Sequence, residues 1–176
     1  MRCGLLGEKL GHSMSRPIHE AIFAAAGVDA DYRIIEIPRD RFTEETRQLI
    51  ATLDGFNVTI PYKQDVMPLL RQIDPLAQEI GAVNTVVTGE ASCGYNTDAA
   101  GFMRMLTRYG LDPAAAPHCF ILGSGGTAKT VKACLKAMGA MGVTVVSRHR
   151  EAEGEISYAE YYRVFPVCAG LIVNAA

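Results

Sequence analysis

The chain has 176 residues, 49% of them hydrophobic and 20% charged, with a formal net charge of −2. That composition excludes a disordered tail and a disulfide scaffold, and the charge offers no basic field for nucleic acid. No apolar run is long enough for a signal peptide or a bilayer-spanning helix, so a cytoplasmic protein with no membrane partner is expected.

"RCGLLG" at 2–7 reads as a buried strand, and the glycines and His-Ser after it as a loop into a helix, "PIHEAIFAAAG", closed by Gly27. "DYRIIEI" follows as a strand, "RFTEETRQLIATL" as a helix and "GFNVTI" as a strand. A helix is expected near "YKQDVMPLLRQI" at 62–73, then two short strands around a turn in "AVNTVVTGEASCGYNTD". A helical pattern, "AAGFMRMLTRYG", ends at Gly110 and runs into "LDPAAAP", whose prolines mark a linker. Beyond it come strand and turn "HCFILGSGG", helix "TAKTVKACLKAMGA", strand "GVTVVSR", a weak helix near "SYAEYY" and a strand in "AGLIVNAA". Strand and helix alternate, so the class is α/β, and the second unit has the order of a βαβαβ half of a doubly wound fold. Cys3, Cys93, Cys119, Cys134 and Cys168 are odd in number, without a CxxC pair or a histidine cluster of metal-ligand spacing; reduced thiols and no metal site are expected.

The turn "LGSGGTAKT" places Gly123, Gly125 and Gly126 between an apolar strand and a helix. Small residues there let backbone amides approach a diphosphate, and the helix N-terminus favours its charge. The spacing is GxGG, with Ala128 where the fuller fingerprint has glycine. A tight turn with no ligand is the plain alternative. The next strand ends in Ser147, Arg148, His149 and Arg150, where an NAD site usually offers a carboxylate to the ribose. Cations at that point suit a 2′-phosphate, hence NADP; a solvated loop is the alternative.

Four stretches of the first unit gather polar residues at strand ends: "GHSMS", "NVTIPYK", "GAVNT" and "YNTD". In open α/β sheets ligands lie outside the carboxyl ends of strands, so these loops could converge on one small molecule. Each has a local alternative: Ser13 and Ser15 as helix N-caps, Asn84 and Asn96 as turn formers, Asp98 as a cap for the following helix. Together, hydroxyls, amides, one amine and one carboxylate suit a polyhydroxylated acid. Lys63 follows Pro61, which ends the strand and turns the chain; at the start of the expected helix the amine would also feel the positive end of its dipole.

The order "HSMS", "NVTIPYK", "GAVNT", "NTDAAG", "GSGG", "SR" and "LIVNAA" resembles the shikimate dehydrogenase family over essentially the whole chain. The resemblance implies a substrate-binding catalytic domain at 1–100 and a Rossmann-like NADP-binding domain at 101–176, the latter represented by its first βαβαβ half. It implies NADP-dependent, reversible reduction of 3-dehydroshikimate to shikimate in aromatic amino acid biosynthesis, by a monomer or homodimer. Lys63 and Asp98 match the catalytic pair, and Ser13, Ser15, Thr59 and Asn84 the residues that hold the substrate's carboxylate and hydroxyls. Gly123, Ser124, Gly125, Gly126, Thr127 and Ala128 match the diphosphate turn. Ser147 and Arg148, with Arg150 nearby, match the readers of the 2′-phosphate.

This sequence departs from the family pattern at Met14 and Arg16, where "HSKSP" is usual, and at Ser147, where asparagine is usual. It also stops at "LIVNAA", where the family continues "NTTPxG" toward the nicotinamide-side loop, a substrate-contacting glutamine and helices that return to the first domain. A quinate/shikimate dehydrogenase with relaxed cofactor use and a noncatalytic ligand-binding module are the alternatives.

Overall fold

The computed structural model describes residues 1–148, 154–168 and 170–175, in two compact units, Met1–Asn96 and Thr97–Ala176. The first unit is built on a six-stranded mixed sheet of order β2-β1-β3-β5-β6-β4. Its strands are β1 (Arg2–Gly7), β2 (Asp31–Glu36), β3 (Gly55–Val58), β4 (Gln72–Ile73), β5 (Thr85–Val87) and β6 (Cys93–Tyr95). β1 runs parallel to β2 and β3, and β5 runs antiparallel to both β3 and β6. The C-terminal ends of β1 and β3 and the start of β5 therefore meet at one end of the sheet.

Three helices belong to this unit: α1 (Ser15–Ala26), α2 (Phe42–Thr52) and α3 (Pro75–Ile80). α2 turns Phe42, Thr46, Leu49 and Ile50 to the core, the spacing of one helical face. There Phe42 stacks on Tyr62 with ring centroids 4.2 Å apart, and the Tyr62 hydroxyl donates to the carbonyl of Ile37 at 2.6 Å. Leu6, Phe56, Val58, Val83 and Val86 complete this core. Each such side chain contributes about 1.5–3 kcal/mol through removal from water.

The helix expected at 62–73 does not form. The chain instead makes turns, a single 3₁₀ turn at Met67–Leu69 and the short β4. Pro68 has no N–H to continue a helix and disfavours helical geometry in the residue before it. The apolar residues that mimicked a helical stripe, Val66, Met67, Leu69 and Leu70, reach the core from these turns. The helix lies further on, at α3. Asp74 Oδ1 accepts the Leu76 N–H at 3.0 Å, proline occupies the first turn, and Gly81 closes the helix.

The second unit has a parallel sheet of order β8-β7-β9, formed by β7 (Cys119–Leu122), β8 (Val143–Val146) and β9 (Leu171–Asn174). Its helices are α4 (Asp98–Arg108), α5 (Gly126–Ala137) and α6 (Tyr158–Cys168). β8 and β9 flank β7 on opposite sides, so the winding direction reverses beside β7. Such a reversal opens a crevice at the strand ends. Leu106 of α4 joins Cys119, Ile121, Ala128, Val131 and Leu135 in the core, which draws α4 into this unit. Among the described residues no helix is long and apolar enough to cross a membrane.

Candidate functional site

Gly7 ends β1, and a Cβ there would press within 2.6 Å of Leu10 Cδ2 and 2.9 Å of Thr59 Cγ2. Glycine lets the loop after β1 close against the residue that follows β3. Between them lies a cleft of about 560 Å³ lined by Ser13, Ser15 and Thr59, with Lys9 and His12 also on its wall. Ser13 is positioned by its amide, which donates to the Leu10 carbonyl at 2.8 Å, and its Oγ accepts the N–H of Ser15 at 3.2 Å. Met14, not either serine, occupies the N-cap position of α1, and Ser15 is its first helical residue, so the capping role expected of Ser13 and Ser15 is not taken up.

Asn84 and Lys63 stand at the same end of the sheet, outside the residues that line this cleft. The Asn84 carbonyl accepts the N–H of Val58 at 2.8 Å, and the Lys63 carbonyl accepts the N–H of Val83 at 2.7 Å. Lys63 is half-buried in the turn run, with no α-helix beginning there, so the helix-dipole argument for its amine falls away. Asn96, 6% exposed, donates through Nδ2 to the Ala82 carbonyl at 2.9 Å and braces the approach to Asn84.

Two residues that the sequence reading leaves aside, Tyr32 near the start of β2 and Asn57 near the end of β3, connect across β1. The Tyr32 hydroxyl donates to Asn57 Oδ1 at 2.7 Å, and Asn57 Nδ2 donates to Thr85 Oγ1 at 3.2 Å. Burial, with a smaller push from Cys3, raises the Tyr32 pKa to about 12, against an opposing hydrogen bond with Ser15. Alternation along "DYRIIEI" marks Tyr32 as an inward strand residue; its partners, 25 residues away in sequence, leave no local signal.

In the second unit Asp98 is the first residue of α4, where the helix dipole favours a carboxylate. Its charge adds to the burial that raises the Cys134 thiol pKa. The glycine-rich turn joins β7 to α5. Gly123 has φ 115°, a conformation that L side chains rarely adopt, and its amide donates to the Val146 carbonyl at 2.9 Å. Gly125, in extended backbone, forms the N-cap of α5, and a Cβ built on it meets nothing within 4 Å. The backbone therefore lies bare where a side chain would otherwise cover it, which fits an anionic diphosphate at the start of a 12-residue helix. Ser124 and Gly126 are half-buried and Thr127 is exposed, whereas Ala128 is 1% exposed and packs into the core. Its methyl is accommodated where the fuller fingerprint uses glycine for close helix–strand packing.

At the end of β8, Ser147 is buried and its hydroxyl donates to Glu155 Oε2 at 2.8 Å, while Arg148 is exposed. His149 and Arg150 lie outside the described residues. Among the described residues no group of three or more His, Cys, Asp or Glu side chains could hold a metal ion.

A mixed sheet with a polar cleft, followed by a parallel sheet with a bare glycine turn at its switch point, defines an α/β protein with a Rossmann-like second unit. A family model described as the shikimate dehydrogenase substrate binding domain matches residues 5–86. Shikimate dehydrogenase (NADP(+)) of Bacillus cereus (strain B4264) is 36% identical over 170 residues, covering 96% of this chain and 61% of that protein. The crystal structure of shikimate dehydrogenase 1 from Peptoclostridium difficile matches with a TM-score of 0.89 at 31% identity, covering 99% of this chain and 67% of that one. A shikimate 5-dehydrogenase from Thermus thermophilus, solved in complex with NADP(H) and shikimate, matches with a TM-score of 0.78 at 27% identity, covering 100% of this chain and 68% of that one. The chain belongs to the shikimate dehydrogenase family. It spans 61% of the length of the Bacillus cereus relative.

Proposed function

We propose that this chain carries the substrate pocket and dinucleotide turn of an NADP-dependent shikimate dehydrogenase, an oxidoreductase that reversibly reduces 3-dehydroshikimate to shikimate in aromatic amino acid biosynthesis. One observation carries the reading: Ser13, Ser15 and Thr59 share one cleft, at the sheet end that also holds Asn84 and Lys63. In this assignment the Ser13 and Ser15 hydroxyls donate to the substrate carboxylate, and Thr59 and Asn84 read its ring hydroxyls. Lys63 and Asp98 handle the proton of the reacting hydroxyl, taking it on oxidation and returning it on reduction. The amides of the turn from Gly123 through Ala128 hold the diphosphate, Arg148 meets the 2′-phosphate beside Ser147, and Arg150 is assigned with them from sequence. Bound NADP supplies the hydride chemistry, and the protein supplies orientation and proton handling. A cytoplasmic location and a monomeric or homodimeric state belong to the same reading.

Calorimetric titration with shikimate tests it. One-to-one binding, weakened about tenfold or more by Ser13→Ala or Ser15→Ala through loss of a hydrogen bond to a charged group, is the expected result. No uptake of shikimate by the unaltered chain would sink the proposal.

The Ser147–Glu155 hydrogen bond favours a second reading, a quinate/shikimate dehydrogenase with relaxed cofactor use. A carboxylate at this place repels a 2′-phosphate and suits a ribose hydroxyl. Under that reading Glu155→Gln strengthens NADP binding and leaves NAD binding unchanged or weaker; under strict NADP use Arg148→Ala weakens NADP far more than NAD.

A further inference from the structure

Tyr32 is 2% exposed, its ring stacked on His19 at 4.1 Å and 11° and packed with Leu5 and Leu10. Its hydroxyl starts a polar chain. It donates to Asn57 Oδ1 at 2.7 Å. Asn57 Nδ2 passes the chain on to Thr85 Oγ1 at 3.2 Å and reaches the Asn84 carbonyl at 3.5 Å. The Thr85 hydroxyl then donates to Asn84 Oδ1 at 3.1 Å. His19 Nδ1 lies 2.8 Å from the Ser15 carbonyl, which ties the helix start to the same ring stack.

A side-chain amide can present either its oxygen or its nitrogen, and only its partners decide which. Here Tyr32 supplies the proton that holds Asn57 Oδ1, which leaves Asn57 Nδ2 to engage Thr85. Thr85 in turn engages Asn84 Oδ1, so the Asn84 Nδ2 group is directed away from Thr85. We infer that Tyr32 is a positioning residue for Asn84, whose hydroxyl acts through Asn57 and Thr85 and fixes the atoms that the Asn84 amide presents. The role rests on the pocket being the shikimate site, and Tyr32 itself is given no contact with the ligand. Because successive hydrogen bonds polarise one another, loss of the phenol weakens the chain as far as Asn84.

Two readouts on the full 176-residue chain test the inference. Tyr32→Phe keeps the ring and removes the hydroxyl. Thr85→Val cuts the same chain at a half-buried strand position, should the first variant fold poorly. The first readout needs no ligand: the side-chain amide ¹H–¹⁵N resonances of Asn57 and Asn84 should both shift in each variant, while backbone resonances of β6 stay in place. The second is shikimate affinity, expected to fall about five- to tenfold, as the loss of one net hydrogen bond predicts. Amide resonances that stay put overturn the positioning role whatever the affinity does, and so does an affinity within twofold of the unaltered chain. Resonances that move in a chain that takes up no shikimate overturn the substrate reading while upholding Tyr32 as the organiser of these amides.

Discussion

The Lys63 carbonyl accepts the N–H of Val83, so the backbone that carries the amine is tied to the segment that leads into Asn84. Lys63→Ala leaves that bond intact. Under the proposed function, turnover of shikimate with NADP is expected to fall about 10²–10⁴-fold, the range for loss of a proton-transfer group, with an unchanged urea midpoint. A variant that turns over at a near-normal rate would remove Lys63 from the reaction. Tyr32 gives a pH signature. Its pKa is raised from 10.0 to about 12 in the folded chain, so the folded state keeps a proton that the unfolded state releases first. Stability from this group is whole below pH 10 and is lost as pH rises toward 12. Thermal melts across that window should steepen in their decline, and Tyr32→Phe should flatten it. The polar loops at strand ends were legible in the sequence, whereas the roles assigned to Ser13, Ser15, Thr59 and Asn84 came from the family resemblance. Tyr32 and Asn57 were not legible, since their hydrogen bond joins two strands on either side of β1 and neither residue is unusual in a strand.

The alternation of strands and helices could be read from apolar periodicity, and it failed at 62–73, where Val66, Met67, Leu69 and Leu70 imitate a helical stripe. Pro68 argued against that helix, and Asp74 before Pro75 signalled the one that forms; the stronger hydrophobic pattern masked both. α2 carries a feature that no pattern reveals: Thr46 is fully buried and its Oγ1 has no hydrogen-bond partner. Thr46→Val removes the stranded hydroxyl at nearly the same shape and should raise stability by about 1 kcal/mol in urea unfolding. A loss of stability would mean that the hydroxyl is satisfied. At the head of α5, Gly125 adopts extended backbone open to other residues and has open space beside it. Gly125→Val should therefore cost about 1 kcal/mol or less in folding, through a poorer cap, while dinucleotide affinity falls at least about tenfold as the side chain covers the amides. Equal loss of folding and binding would show that the turn is structural alone.

The core of the first unit, from Leu6 through Phe56 and Tyr62 to Val86, comes wholly from residues before the division at Asn96. Residues 1–96 expressed alone should fold with one cooperative urea transition and retain shikimate binding; a molten fragment would mean that this core needs the rest of the chain. Antiparallel β5 has a further consequence. Because it starts where β1 and β3 finish, the hairpin that joins it to β6 projects from the far end of the sheet, where the Thr88 N–H meets the Asp54 carbonyl. Gly89 has nothing within 4 Å of a built Cβ, and Glu90 beside it is exposed. A fluorophore or affinity tag spliced between these two residues would report on the first unit from the end of the sheet opposite the proposed substrate cleft, which makes the hairpin a natural handle for surface immobilisation.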